Sequence, residues 1–254
     1  QTSGCTKYLD AKANKSYEVP HSLQDGQALI DYYPNVNFKD AGAGEVSADD
    51  YYLPDNTYTS LPSEFYKRMY VWERVQIFAP EINDWYNLYS KIYVANTVLT
   101  LLNDPPRNAS NGSDWDNLKG QALFLRGRCF LQAVTIWSGS YNPATATSDL
   151  GIPLRLNINF NENSVRSSNQ QSYDQILSDL KEAAGLLPEF PLHPVRASRP
   201  AADGLIARTY LAMNQYDSAW RYSDLALQKA GALVDFNNLD SAARYPFAGL
   251  QYQN

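Results

Sequence analysis

The sequence predicts an all-α fold of antiparallel helix hairpins joined by long irregular loops, with at most a short strand. Three observations carry this. Apolar residues recur at steps of three and four in five separate segments, the period of a helix with one buried face. Proline- and asparagine-rich stoppers stand between those segments. The last two segments are joined only by a tight turn at "NQ", which folds one helix back on the other.

Residues 1–20 ("QTSGCTKYLDAKANKSYEVP") show no sustained period and end in Pro20, so they read as a tether to a helical domain over 21–254. Ser22 opens the first helix: "SLQD" supplies a capping oxygen and a carboxylate three residues on. Leu23, Leu29, Ile30 and Tyr33 follow, and Pro34 ends it. From Val36 to Ile82 the chain is mostly irregular and strongly aromatic, with a short helix expected near 63–70. Long loops in compact domains are usually functional or disordered, and aromatic residues argue against disorder.

Trp85, Leu88, Ile92, Ala95, Leu99 and Leu102 predict a helix over 83–103, stopped by "NDPP". Leu118, Ala122, Leu125, Cys129, Ala133 and Ile136 predict the next, over 113–138, with Ser113 as its cap. A short connection makes these two antiparallel neighbours. Residues 139–171 read as loop, with "GIPLRLNINF" as a single short strand. "SYDQ" (Ser172 to Gln175) is expected to cap a helix whose stripe is Tyr173, Ile176, Leu180, Ala183 and Leu187, stopped at Pro188. The final hairpin spans 199–213 and 216–230, ending at Gly231. Ile206, Ala207, Tyr210, Ala219 and Ala226 fall at the large, small and aromatic positions of a tetratricopeptide repeat, whereas Ser223 fits poorly.

Composition excludes several functions. A net charge of −6 with no clustered basic patch argues against nucleic acid. No stretch approaches the roughly 20 apolar residues that a membrane-spanning helix needs. Two cysteines and two histidines at these spacings make no metal site, and no cofactor is implied. Cys129 sits on an apolar stripe, and a Cys5–Cys129 disulfide has no framework behind it. There is no serine elbow, HExxH or phosphate-cradling glycine loop, so catalysis is not expected. Asp49–Asp50 reads as a solvated acidic pair and "NASNGSD" as a polar turn lacking calcium ligands. The 19 tyrosines and 5 tryptophans fit either a recognition surface or a tyrosine-rich helical core.

Six segments in this order resemble one family: "CTKYLD", "WYNLYSKIYVANTVL", "LKGQALFLRGRCFLQAVTIWSG", "GIPL", "RSSNQQSYDQILSDLKEAAGLLP" and "RASRPAADGLIARTYLAMNQYDSAWRYSDLAL". Together they are similar to the SusD/RagB family of surface glycan-binding lipoproteins from Bacteroidetes-type bacteria. The resemblance implies an outer-membrane, surface-exposed protein that delivers ligand to a TonB-dependent transporter of the SusC type. It also implies that Cys5, preceded by the small Gly4, is the acylated first residue of the mature protein, with Gln1 to Gly4 as a remnant. Thr2 departs from the usual aliphatic residue, and the chain is shorter than family members usually are. A helical-repeat scaffold for protein partners, or a member binding peptides, is the alternative.

In that family part of the glycan platform comes from a loop in the 36–82 region. Flat aromatic faces suit the C–H faces of sugars, and amides, carboxylates and guanidinium groups suit their hydroxyls. The candidates here are Tyr51, Tyr52, Asn56, Tyr58, Arg68, Tyr70 and Trp72. If "RMYVWERV" is extended, Tyr70 and Trp72 share a face. If it is helical they diverge, and Trp72 is expected in the core.

Overall fold

A computed structural model describes residues 20–230, 233–243 and 246–247. The all-α expectation holds. Ten helices and one two-stranded sheet are described: α1 (Leu23–Ile30), α2 (Tyr33–Val36), α3 (Ala43–Val46), α4 (Asp55–Ser60), α5 (Glu64–Tyr70), α6 (Asp84–Leu101), α7 (Gly112–Trp137), β1 (Leu150–Pro153), β2 (Arg166–Ser168), α8 (Asn169–Leu186), α9 (Arg199–Ala212) and α10 (Tyr216–Ala230). The 36–82 stretch is less irregular than the sequence implies. It holds three one- or two-turn helices after α2, of which Ser63 caps α5 at the expected place.

Each long helix packs on the next in the chain, and α1 lies across α6 and α7. The pairs are antiparallel. Trp85 meets Trp137, Asn96 meets Arg126, and Trp115 donates to the Leu102 carbonyl, so α6 and α7 run in opposite directions. The predicted stripes form the core: Leu88, Ile92, Ala95, Leu118, Ala122, Leu125, Ile176 and Leu180 are all buried. α7 approaches α8 closely because of two glycines two turns apart. A Cβ on Gly120 would stand 2.9 Å from Leu187 Cγ, and one on Gly127 would stand 2.9 Å from Leu180 Cγ.

A buried ion pair fixes the register of three helices. Arg126 on α7 donates from Nε and Nη2 to Asp179 on α8, both at 2.7 Å, and from Nη1 to Asn96 Oδ1 on α6 at 2.9 Å. A fork that satisfies a buried carboxylate in this way specifies one alignment. Burial pushes the Asp179 carboxyl up, while Arg126 and Gln175 pull it down.

Two expected caps move. α7 begins at Gly112, with Asn111 as its N-cap and Ser113 inside the helix. The Asn111 side chain turns back instead to accept from the Asn108 N–H. α8 begins at Ser168, whose capping box closes with Gln171. Ser172 is buried one turn in, donating to the Ser168 carbonyl and accepting from Ile152 N–H. "GIPL" does give a strand, β1, but it pairs antiparallel with β2 and stops at Pro153. The following "LNINFN" alternates like a strand yet is not one, because the Asn157 and Asn159 side chains accept the backbone N–H two residues on.

The last hairpin keeps its repeat-like packing, with Ile206, Ala207 and Ala219 buried and Tyr210 stacked on Tyr222. Asn214 makes its turn at φ 59°, a left-handed conformation that asparagine tolerates. Gly231 lies outside the described residues.

The glycine contacts give a paired prediction. Gly127→Ala should cost about 1–3 kcal/mol by forcing α7 and α8 apart. Gly185→Ala on α8, with nothing within 4 Å of the new Cβ, should stabilise by about 0.5–1 kcal/mol. Denaturant midpoints at constant slope read both.

Candidate functional site

The aromatic segment is built around α3, a single turn held at both ends. At its start, Asp84 Oδ2, from the first residue of α6, accepts the N–H groups of Gly42 and Ala43 at 3.0 and 2.8 Å. These are donors that a helix leaves unsatisfied at its N-terminus. Just before them, Asp40 Oδ1 accepts from Lys91 Nζ at 3.0 Å and Oδ2 accepts from Gln132 Nε2 at 3.1 Å, with Arg128 Nη1 at 3.6 Å. Lys91 has no exposed surface. Burial pushes the Asp40 carboxyl up, but Arg128, Lys91 and Gln132 outweigh it, and its pKa lies below the ordinary value.

At the other end, two consecutive carbonyls are capped by aromatic side chains. The Tyr51 hydroxyl donates to Val46 O at 2.8 Å, and the Trp72 indole Nε1 donates to Ser47 O at 2.9 Å. Trp72 is delivered there by the end of α5. Val71 is the C-cap, Trp72 N–H donates to Met69 O and Glu73 N–H donates to Arg68 O, which is a Schellman ending. Its left-handed position normally takes glycine, but here Trp72 occupies it at φ 58°. A left-handed non-glycine residue costs on the order of 1–2 kcal/mol. Gln76 and Ile82, in the same loop, also have positive φ, at 53° and 40°. Such strain persists only where surrounding contacts over-determine it, and it concentrates at functional positions.

Trp72 is 67% exposed, so the core reading does not hold. Its ring borders a cavity of about 420 Å³ lined also by Gly44, Ser47, Met69, Glu73 and Phe78. An apolar floor that includes Met69 and Phe78, with the Glu73 carboxylate in its lining, can hold a flat ring with hydroxyls at its edge.

The other candidates fall into three places. Tyr70, Tyr51 and Tyr58 form one cluster, with Tyr70 central and 5.8 Å from each partner ring. The Tyr70 hydroxyl accepts the Leu53 N–H at 2.8 Å. Because α5 is helical to Tyr70, that ring and Trp72 do not share a face. Arg68 is half-buried and pairs with Glu73 at 3.5 Å, linking α5 to the rim of the Trp72 cavity. Tyr52 is 79% exposed, and Asn56 is exposed with its Oδ1 accepting the Thr57 N–H; neither lines the cavity. Asp40, Asp84 and Ser47, which position the platform, carry no local sequence signal. Cys5 lies outside the described residues. Among the described residues, no three histidine, cysteine or acidic side chains gather to hold a metal ion.

Residues 7–211 match the model of a protein family described as "Starch-binding associating with outer membrane". The chain belongs to the SusD-like family. Solved structures similar to this SusD-like chain include a putative sugar binding protein from Bacteroides vulgatus, with 22% identity and a TM-score of 0.71 over 84% of this chain and 47% of that one. A SusD superfamily protein from Bacteroides thetaiotaomicron has 19% identity and a TM-score of 0.68, covering 85% and 49%. A laminarin binding SusD-like protein has 18% identity and a TM-score of 0.53, covering 81% and 43%. The SusD-like chain thus spans about half the length of the solved structures that it matches. At these identities the likeness shows the fold. None of the curated proteins compared with the chain matches it.

The Asp40 anchor of the aromatic segment should be visible in acid. Its folded pKa is depressed, so its stabilisation is complete above the unfolded value of about 3.9 and is lost as pH falls below it. Asp40→Asn should cost about 2 kcal/mol at pH 7, less than a fully buried pair because the Asp40 side chain is 37% exposed. The difference from wild type should shrink towards pH 3 in thermal melts.

Proposed function

We propose that this SusD-like chain is a surface carbohydrate-binding protein that delivers oligosaccharide to a TonB-dependent outer-membrane transporter. The observation that carries the reading is the exposed indole of Trp72, held in a strained backbone position over a cavity of mixed character. A side chain kept rigid and exposed at a cost in stability suits stacking on a sugar, because little of its freedom is lost on binding. The sugar- and laminarin-binding relatives support the ligand class. Binding without chemical conversion is the corresponding activity.

Trp72→Ala tests it. With oligosaccharides of starch and laminarin as ligands, calorimetry should show affinity at this site reduced at least about tenfold, while the melting temperature moves little because the ring is mostly exposed. Unchanged affinity in the folded variant removes Trp72 from the site.

In this reading attachment is by lipid on Cys5, as the resemblance at "SGC" implies. Two or more acyl chains anchor stably where one is marginal. In cells making the precursor, Cys5→Ser should shift the protein from the membrane to the soluble fraction. The transporter docks on the helical face, and co-purification of a TonB-dependent barrel from gently solubilised membranes checks that assignment.

A further inference from the structure

A second concave site lies on α6, lined by residues other than those around Trp72. It is a cleft of about 330 Å³ between α6 and the loop over 154–165. Its α6 wall is aromatic: Trp85 stacks on Tyr89 at 4.4 Å with a 26° tilt, and Tyr93 follows one turn on. From the loop, Phe160 packs its ring against Tyr93 at 4.8 Å between centroids and stays 77% exposed, so the pair presents a continuous aromatic surface.

The loop is held by bonds that leave the cleft preformed. Arg155 donates to the carbonyls of Glu162 and Asn159, and the buried Asn96 amide donates to the carbonyls of Arg155 and Asn157. Asn157 Nδ2 donates to Glu162 Oε2 at 2.6 Å. The Arg155 guanidinium is directed into the loop's own backbone, and it lines the cleft together with the Glu162 carboxylate, one charge of each sign. Among the described residues only Oε2 of Glu162 is bonded, so Oε1 remains to accept, and the Ser164 hydroxyl also lines the cleft. Flat rings beside a carboxylate, an amide and a hydroxyl match a neutral ring with an apolar face and a hydroxyl rim. The volume is at the lower end for ligand sites, roughly 300–1,000 Å³.

We propose that this cleft is a second carbohydrate-binding site, which takes one or two pyranose units of a glycan with Phe160 and Tyr93 as its stacking residues. It rests on the carbohydrate-binding reading of the chain, but it uses none of the residues at the Trp72 cavity. Two sites on one chain allow one long glycan, or two separate chains, to be held at once. Binding at both along one strand raises apparent affinity through effective concentration.

The test uses the whole chain with malto- and laminari-oligosaccharides in calorimetry, comparing wild type, Trp72→Ala, Phe160→Ala and the double variant. Two sites are expected in wild type. Trp72→Ala should keep the cleft site. Phe160→Ala should weaken that site about tenfold without shifting the melting temperature, and the double variant should lose both. If Trp72→Ala abolishes all binding while Phe160→Ala binds as wild type does, the cleft proposal is overturned and the carbohydrate reading stands. If neither oligosaccharide series binds wild type, the carbohydrate reading fails and the cleft proposal fails with it.

Discussion

A lysine ammonium with no exposed surface must find its counter-charge inside the protein, and Lys91 finds it in Asp40. That requirement fixes where the chain can go after α2. Taking one charge out of water without the other costs several kcal/mol, so Asp40 cannot drift from α6 without leaving Lys91 unpaired. Once Asp40 is set, Asp84 captures the start of α3 three residues on, and the end of α3 presents the two carbonyls on which Tyr51 and Trp72 hang. The aromatic platform is thus an extension of the helical bundle rather than a loop resting on it. The single turn α3 acquires order through the charges at its start.

The same device appears on the neighbouring turns. Arg126, also buried and also on the α6–α7 pair, binds Asp179 of α8 and the Asn96 side chain, which in turn holds the backbone after β1. One cation therefore organises the wall carrying Trp72, and another organises the wall carrying Phe160. Both sets of exposed rings depend on polar groups at the centre of an otherwise apolar core. The close approach of α7 and α8 at Gly120 and Gly127 brings Asp179 within reach of the Arg126 fork.

The long helices were legible because their burial is periodic: Leu88, Ile92 and Ala95, or Tyr173, Ile176 and Leu180, announce a single buried face. Their ends were less so. Ser172 looked like a cap by chemistry, but the neighbouring strand needed its hydroxyl, and Ser168 took the role. Helices of four to six residues such as α2, α3 and α4 are too short to show a period and are created by tertiary contacts. For the platform, composition gave the aromatic residues but not their grouping. No local rule places a tryptophan at a left-handed helix ending, and the ions that hold it, Asp40 and Lys91, lie 51 positions apart. The α6 cleft escaped for the same reason. Trp85 and Ile92 read as one apolar stripe, and only the fold sets them opposite residues near 160.

The left-handed tryptophan has a consequence for how this chain responds to selection. Glycine at position 72 would remove the backbone strain, so a search for heat tolerance alone would favour it. Such a search would strip the exposed ring from the platform wherever the relief of strain outweighs the lost indole bond to the Ser47 carbonyl. Under the proposed role of Trp72, selection for ligand binding and laboratory thermostabilisation pull position 72 in opposite directions, which makes it a marker for whether a population of variants is being sorted by durability or by use.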